Sequence, residues 1–402
     1  MSGKRKTKVG LALAGGGPEG AIYEIGALRA LEDAIDGLDF NEMEVYVGVS
    51  AGAFLGAHLA NGIDTKQLCR GLISTDAGEH PFVPELFFTP AVGEFWRSSR
   101  NVPRFALDAI KDYIGNMQDR TILKSLTKLS GALPTGLFDN LPVRKYVDHM
   151  LGMKGRSNDF RALKRKLFIV AADLDSGEPV IFGSEDWDHI PISLAVQAST
   201  ALPGLYPPVS IEGRHYVDGV LLKTLHASTV LDSGVDLTFC INPIVPVDTR
   251  TAVQTGYMRR GKLIDRGMPS VMAQTFRTLI HSRLVTGIAS YVNRYDADVL
   301  LFEPSKEDYR MFFTNIFSFA SRKAVCEHAY RSVRRDLTRR RNELEPILER
   351  HGLKFRDEVL YDRNRDVWED VGLTGMPKLG VTRNLERALA KLENIVRTET
   401  PS

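Results

Sequence analysis

The sequence predicts an α/β protein of three layers, with helices on both faces of a mostly parallel central sheet and a mainly helical C-terminal extension. Short apolar runs, typical of buried strands, alternate with longer stretches that repeat apolar residues at helical spacing. Two of these runs end in glycine-rich turns that lead directly into a helix. Beyond Glu307 the strand pattern fades. Strands that alternate with helices in this way favour a parallel sheet covered on both sides.

The first strand, loop and helix lie close to the amino terminus. Lys8 to Ala14 is largely apolar and ends in the loop Gly15-Gly16-Gly17-Pro18-Glu19-Gly20, after which apolar residues recur every three or four positions. The apolar run is shorter than the hydrophobic region of a signal peptide, so we interpret it as a strand. The loop should therefore lie at the amino end of a helix, where free N–H groups favour negative charge.

The second unit contains a candidate nucleophile. Val45 to Val49 is a run of mostly β-branched and aromatic residues. Its end overlaps the pentapeptide Gly48-Val49-Ser50-Ala51-Gly52, and a helix follows from about Phe54 to Asn61. Between a strand and a helix, Gly-x-Ser-x-Gly indicates a nucleophile elbow, because its glycines allow a sharp, closely packed turn. The pentapeptide alone is weak evidence, since a serine that caps an ordinary helix gives the same letters. Parallel strands would bring this serine and the glycine loop to one edge of the sheet.

The remaining elements complete the α/β pattern. Strands are predicted at Leu167 to Ala172, Pro179 to Phe182, Leu237 to Ile241 and Val299 to Phe302, a hairpin at Val209 to Ile211 and Arg214 to Val217, and helices at Ile192 to Thr200 and around Val271 to Val292. The hairpin ends in Asp218-Gly219, a common turn pair. We divide the chain into a core at 8–225, the remaining strands and helices of the same α/β domain at 226–305, and a basic, mainly helical extension at 306–402.

Composition excludes several classes of function. The 52 basic and 50 acidic residues leave a net charge of +2, which gives no overall attraction to nucleic acid. No run approaches the ~18 apolar residues of a spanning helix. The three cysteines are few and scattered, which favours a reducing compartment. We therefore expect a cytoplasmic protein with no metal, no organic cofactor, no nucleic-acid partner, and at most peripheral contact with the inner membrane surface.

The loop Gly15 to Gly20 has two functional interpretations. Gly15-x-Gly17-x-x-Gly20 fits the dinucleotide-binding fingerprint and predicts a nucleotide-binding oxidoreductase. That fingerprint also requires an acidic residue at the end of the second strand, where this chain has Gly48-Val49-Ser50. Alternatively, the N–H groups of consecutive glycines form an oxyanion hole for a serine that attacks a carbonyl. The serine at the neighbouring strand end favours the oxyanion hole.

A nucleophilic serine requires a base within hydrogen-bond reach. His58 lies more than one helical turn beyond Ser50, and His215 lies in the predicted hairpin, so we expect both to be packed or solvated. Asp218 is the better candidate. On its own, Asp218 is more simply explained as the first residue of an Asp-Gly turn.

Together these motifs resemble the signature of the patatin-like phospholipases. Asp173 to Glu178 and Ser199 to Pro208 look like two further blocks of that family, and the resemblance covers Val9 to Gly219. It implies a lipid or phospholipid substrate and a patatin-like fold. It also implies a Ser50–Asp218 dyad. The resemblance assigns an oxyanion hole to Gly15, Gly16 and Gly17, and supporting roles to Gly20, Gly48, Gly52 and Gly219.

One position departs from the family's pattern. The family usually has arginine or lysine immediately before the last glycine of the loop, whereas this chain has Glu19. A carboxylate beside a developing oxyanion is unfavourable unless it points into solvent or pairs with a cation. A catalytically weak lipid-binding scaffold is therefore the alternative to an active hydrolase. An acidic residue in the first turn of a helix is also favoured by the helix dipole alone.

Two aromatic segments each have two interpretations. The proline-rich segment 81–96 is either a lid or membrane-facing surface, or a satellite of the core. Tyr309 to Ala320, followed by a basic stretch as far as Arg341, is either an interfacial helix for an acidic lipid surface or a helix that packs its aromatics on the core and leaves its basic face in solvent. We favour packing on the core in both cases.

Overall fold

The apolar runs of the sequence form the strands of one central sheet. The computed structural model describes residues 7–73, 88–91, 134–254, 263–308 and 319–373. Within these ranges the sheet has eight strands. They are β1 (Val9–Leu13), β2 (Val45–Val49), β3 (Lys166–Asp173), β4 (Pro179–Phe182), β5 (Val209–Ile211), β6 (Arg214–Asp218), β7 (Leu237–Ile241) and β8 (Asp298–Phe302).

Helices cover both faces of this sheet. Those of the α/β domain are α1 (Gly17–Ala34), α2 (Ala51–Ala60), α3 (Thr65–Ile73), α4 (Leu141–Leu151), α5 (Ile192–Ser199), α6 (Ala227–Asp232), α7 (Thr249–Gln254) and α8 (Met268–Arg294). Those of the C-terminal region are α9 (Phe319–Arg339), α10 (Arg341–Arg350), α11 (Asp357–Leu360) and α12 (Val367–Asp370). The predicted α/β architecture with a helical extension is confirmed.

The order of the strands explains how distant residues meet. The order is β8-β7-β1-β2-β3-β6-β5, with β4 paired to β3. The first five strands of this series are parallel, and β4, β5 and β6 run antiparallel to their neighbours. Strand β3 continues past Val170, which pairs with Val49 at the end of β2, and β6 runs back along this extension until Asp218 lies opposite Ala171. Asp218 therefore ends at the level of the turn that follows β2.

Successive side chains of the central strands pack alternately into two separate hydrophobic cores. On β1, Leu11 and Leu13 belong to the larger core, which includes residues of α1, α2, α5 and α9. Ala12 points to the opposite core, where α6 and α8 contribute. This period of two is what a strand buried on both faces requires. Each core lies between the sheet and the helices on one of its faces, which gives a three-layer fold.

The C-terminal region packs against the first helix of the α/β domain. Gly26 of α1 permits the close approach, because a Cβ atom there would lie 2.5 Å from the carbonyl oxygen of Cys326 on α9. The free thiols of Cys69 and Cys326 lie 3.7 Å apart, although these cysteines are far apart in the sequence. The short strand Lys354–Phe355 also pairs with Ile35–Asp36. The extension is thus anchored to the larger core.

Several basic residues of the extension are structural. Arg322 is buried and donates a 2.9 Å hydrogen bond to the carbonyl oxygen of Leu72. Arg334 is also buried, and its guanidinium donates to the carbonyl of Asp362 at 2.7 Å. The prediction that the basic face is solvated is wrong at these two positions, because the carbonyl of Leu72, in the last turn of α3, and that of Asp362, after α11, take their donors from these side chains.

The aromatic segments remain untested. Residues 309–318 lie outside the described residues, as do 81–87 and 92–96 of the proline-rich segment. Within the part of the chain that the structure describes, no helix is both long and apolar enough to cross a membrane.

Candidate active site

Ser50 lies in a strained turn between β2 and α2. Its φ of 54° and ψ of −117° are unusual for a residue with a side chain, and such backbone strain costs about 1–3 kcal/mol. A Cβ atom on Gly48 would lie 2.4 Å from the carbonyl oxygen of Gly52, and one on Gly52 would lie 2.4 Å from that of Leu13. Only glycine fits at both positions. The sequence motif therefore forms the sharp elbow that it predicts.

A serine from another helix holds this elbow in place. The N–H of Ser50 donates a 2.8 Å hydrogen bond to the hydroxyl of Ser199, at the end of α5. The same hydroxyl donates a 2.6 Å hydrogen bond to the carbonyl oxygen of Val170 on β3. The turn is tied to the neighbouring strand through one buried side chain.

Asp218 lies beside Ser50 and is almost completely buried. Burial raises the pKa of Asp218 to about 7, while hydrogen bonds from the Val220 N–H and from the side chain of Ser50 act to lower it. The Val220 N–H donates to Asp218 Oδ1 at 2.9 Å, and the Asp218 N–H donates to the Ala201 carbonyl at 3.0 Å. The two residues of the predicted dyad are therefore brought together by the fold. Near neutral pH the carboxyl of Asp218 is poised between its two protonation states.

The glycine loop lies against the same turn. A Cβ atom on Gly15 would lie 3.3 Å from Ser50 Cβ and 3.0 Å from Val220 Cγ2, so the loop is packed tightly against the elbow. Helix α1 begins at Gly17, and Gly16 precedes it as a cap without a side chain. Among the hydrogen bonds between described residues, none uses the N–H of Gly15, Gly16 or Gly17. These donors and the helix dipole favour an anion at this position.

A cavity of about 300 Å³ connects these parts. Ser50, Asp218, Gly16 and Gly17 line it, whereas Gly15, which the resemblance also assigns to the oxyanion hole, does not. Most of the remaining wall is apolar, with contributions from Phe54, Phe88, Leu202, Leu205, Tyr206, Ile244 and Phe276. A mostly apolar cavity with a few convergent polar groups is typical of a binding site for a small organic molecule.

Glu19 faces a cation across this cavity. Both Glu19 and Arg277 line the wall, the latter from α8. Burial raises the pKa of Glu19 to about 7, and the positive charge of Arg277 lowers it. Burial lowers the pKa of Arg277, and the carboxylate of Glu19 opposes that effect. The positive charge that acts on Glu19 thus comes from Arg277 on α8, which is distant in the sequence.

His58 and His215, the two histidines considered as possible bases, do not line the cavity. His58 is buried, its Nδ1 lies 2.7 Å from the carbonyl oxygen of Phe54, and burial lowers its pKa to about 4. His215 is exposed on β6, with Nδ1 3.8 Å from Asp175 Oδ2. As expected, the first is packed and the second is solvated.

Sequence reasoning missed Ser199 and Arg277. Ser199 begins one of the blocks that resemble the family, but nothing in the sequence pairs its hydroxyl with the N–H of Ser50. Arg277 is one of many basic residues, and only the fold reveals that it faces Glu19. Both contacts are tertiary, so a local pattern does not encode them.

Comparison with known proteins agrees with the motifs. The family model described as patatin-like phospholipase matches residues 11–230, which include the glycine loop, the Ser50 elbow and Asp218. Among solved structures, VipD from Legionella pneumophila is 15% identical with a TM-score of 0.38, and the match covers 83% of this chain and 67% of VipD.

The type III effector protein ExoU is also similar. One structure is 17% identical with a TM-score of 0.36, covering 84% of this chain and 53% of ExoU. Full-length ExoU of Pseudomonas aeruginosa, solved with SpcU, is 18% identical with a TM-score of 0.27, covering 49% of this chain and 38% of that one. This chain thus spans about half or less of the ExoU chains that it matches. The family model extends over more than half of the chain, and the chain therefore belongs to the patatin-like phospholipase family.

Proposed function

We propose that this protein is a lipid acyl hydrolase that cleaves carboxylic ester bonds through an acyl-serine intermediate. Ser50 is the nucleophile and Asp218 is the base. The observation that carries the proposal is the buried contact between these two side chains, in a cavity that the glycine loop also lines. No histidine is needed, because a carboxyl with a pKa of about 7 can accept a proton at neutral pH.

In the first step the ionised carboxylate of Asp218 accepts the hydroxyl proton as Ser50 Oγ attacks the ester carbonyl. The carbonyl oxygen becomes an oxyanion. When the carbon–oxygen ester bond breaks, the alcohol part of the lipid leaves with the proton from Asp218. The fatty acyl group remains on Ser50 as an ester, and the carboxylate is ionised again.

The glycine loop stabilises the oxyanion. Its N–H groups belong to Gly15, Gly16 and Gly17, and the last two line the cavity next to Ser50. Preorganised backbone donors of this kind contribute about 3 kcal/mol each to the stability of a transition state. The amino end of α1 adds a favourable dipole.

In the second step a water molecule attacks the acyl-serine. Asp218 accepts a proton from that water, and the same donors hold the second oxyanion. Breakdown of the intermediate returns the proton to Ser50 Oγ and releases a fatty acid. The apolar wall formed by residues such as Phe54, Leu202 and Phe276 suits the acyl chain.

A hydrolysis assay on a panel of lipid esters tests this proposal. Ser50→Ala and Asp218→Asn should each lower kcat by about a thousandfold or more, because nucleophile and base act as a unit. Ser210→Ala and Asp175→Asn are matched controls, since both residues are exposed and outside the cavity. Full activity in either dyad variant would contradict the proposal.

The same assay and a thermal shift measurement address the two alternatives from the sequence. A catalytically weak scaffold would show no turnover of any lipid ester by the unmodified protein. A nucleotide-binding oxidoreductase would be stabilised by NAD(P) or FAD in a thermal shift measurement, with no dependence of any activity on Ser50. We favour the hydrolase because Ser50 occupies the strand end where the dinucleotide fingerprint requires a carboxylate.

A further inference from the structure

Helix α8 carries an exposed apolar face that the catalytic proposal does not use. Met268 is 77% exposed and Leu279 is 54% exposed, and both belong to one face of the helix because they are eleven residues, about three turns, apart. Three other large apolar residues of this first half of the helix are also exposed, namely Val271, Met272 and Phe276. An exposed apolar surface of this kind on a soluble domain usually marks an interaction site.

The charge of α8 indicates what kind of partner this face has. The helix contains neither aspartate nor glutamate over its 27 residues, and besides Arg277, which lines the cavity and acts on Glu19, it carries Arg283 and Arg294. A helix with an apolar face and exclusively positive charges fits an anionic lipid surface, because both terms are then favourable. Its arginines also argue that such a helix lies on a bilayer instead of crossing it.

The position of α8 connects this face with the cavity. Ala273, Phe276, Arg277 and Ile280 of the same helix line the cavity that contains Ser50. Phe276 belongs both to the cavity wall and to the exposed face. A lipid that leaves a bilayer at this face would therefore reach the cavity without crossing open water.

We propose that the face of α8 formed by Met268, Val271, Met272, Phe276 and Leu279 docks the protein on an anionic lipid bilayer. This inference rests on the proposed lipid hydrolase function, since a bilayer is where its substrate would be found. In the docked state the apolar side chains enter the boundary between headgroups and acyl chains, and the helix axis lies parallel to the membrane plane. The mouth of the cavity then opens towards the lipid.

Vesicle co-sedimentation of the full chain tests the docking face. The measurements use the Ser50→Ala background, so that no hydrolysis alters the lipids. Met268→Glu combined with Leu279→Glu should weaken binding to phosphatidylcholine–phosphatidylglycerol vesicles by about tenfold or more. Leu174→Glu is the matched control, because Leu174 is similarly exposed but lies outside α8, and this variant should bind like its parent. Equal binding by all three proteins would overturn the proposal.

Three further comparisons separate loss of apolar contact from added charge, test the preference for anionic lipid, and separate membrane docking from dimer formation. Met268→Ser with Leu279→Ser removes the apolar groups without adding charge, and should also weaken binding, with an unchanged melting temperature. Vesicles of phosphatidylcholine alone should bind about tenfold less tightly than the mixed vesicles, and equal affinity would overturn the anionic specificity. If the variants instead turn a dimer into a monomer and bind vesicles normally, the face is an interface between copies and the proposal is wrong.

Enzyme assays separate this inference from the proposed function. With Ser50 intact, Met268→Glu/Leu279→Glu should lose activity on vesicles about tenfold and keep its activity on a soluble short-chain ester, because neither residue lines the cavity. Loss of activity on both substrates would contradict a docking role. If no ester is hydrolysed but vesicle binding still depends on α8, the catalytic proposal fails and the docking surface stands.

Discussion

The hydroxyl of Ser199 accepts a 2.8 Å hydrogen bond from the N–H of Ser50. Because Ser199 also donates to the Val170 carbonyl at 2.6 Å, one buried side chain sets the position of the proposed nucleophile relative to β3. Ser50 needs this support, since its backbone is in a strained conformation. The support comes from a helix that begins more than 140 residues later in the chain.

We expect Ser199→Ala to lower kcat about tenfold, because the backbone of the elbow loses the side-chain hydrogen bond that holds it against β3. The free energy of unfolding should fall by about 1–3 kcal/mol, since a buried N–H and a buried carbonyl are left unsatisfied. Ester hydrolysis and urea denaturation measure the two effects.

Ser193→Ala is the control, because Ser193 lies on the same helix, is buried and accepts a hydrogen bond from Asn158. It should lose stability while kcat stays close to that of the unmodified protein. A kcat unchanged by Ser199→Ala would show that the tether does not position the nucleophile.

The pH dependence of kcat/KM should reveal the ionisation of Asp218. Burial raises the pKa of Asp218 to about 7, and only the ionised form can accept the proton of Ser50. Below pH 7 we expect kcat/KM to fall by about tenfold per pH unit, and above it to reach a plateau. Initial rates on a soluble ester between about pH 5 and pH 9 measure this acidic limb of the profile.

Glu19 requires a control, because burial raises its pKa to about 7 as well. Glu19→Gln removes that titration and leaves Asp218 in place. The acidic limb should persist at a similar pH in this variant. If the limb disappears with Glu19, then the group that controls the reaction is Glu19 and Asp218 is not the base.

The tight packing of the elbow predicts opposite effects for two glycines of α2. Gly52→Ala places a Cβ atom 2.4 Å from the Leu13 carbonyl oxygen, and the backbone must shift to accept it. We expect the free energy of unfolding to fall by about 1–3 kcal/mol or more. At Gly56 the nearest atom to an added Cβ is Leu167 Cδ1, at 3.6 Å.

Gly56→Ala should therefore be tolerated and should raise the free energy of unfolding by up to about 1 kcal/mol, through the helix propensity of alanine. Urea denaturation of both variants gives the comparison. Equal stability of the two variants would mean that Gly52 is not needed for the close approach of α2 to β1.

The sequence is sufficient to predict the architecture because the strands are short and apolar, and polar or glycine residues bound them. Val45–Val49, Pro179–Phe182 and Leu237–Ile241 have the predicted bounds. Alternation with helical patterns then favours a parallel sheet, which brings the ends of β1 and β2 together. Local chemistry is enough for this level of structure.

The candidate site is less completely predictable. Gly48 and Gly52 follow from the geometry of a sharp turn, but Asp218 is singled out only by the resemblance to a family, since an Asp-Gly turn explains it equally well. Arg277 has no sequence signal, because the charge of Glu19 is matched across the cavity by another helix. In the extension, a basic pattern does not reveal that Arg322 and Arg334 are buried donors to backbone carbonyls.

The most direct test of the account is covalent labelling with a fluorophosphonate probe, followed by mass spectrometry of the peptides. The account predicts a single labelled residue, Ser50, with labelling that slows in Asp218→Asn and disappears in Ser50→Ala. Labelling at another residue, or an unmodified protein that hydrolyses lipid esters while Ser50 stays unlabelled, would contradict the claim that Ser50 is the nucleophile.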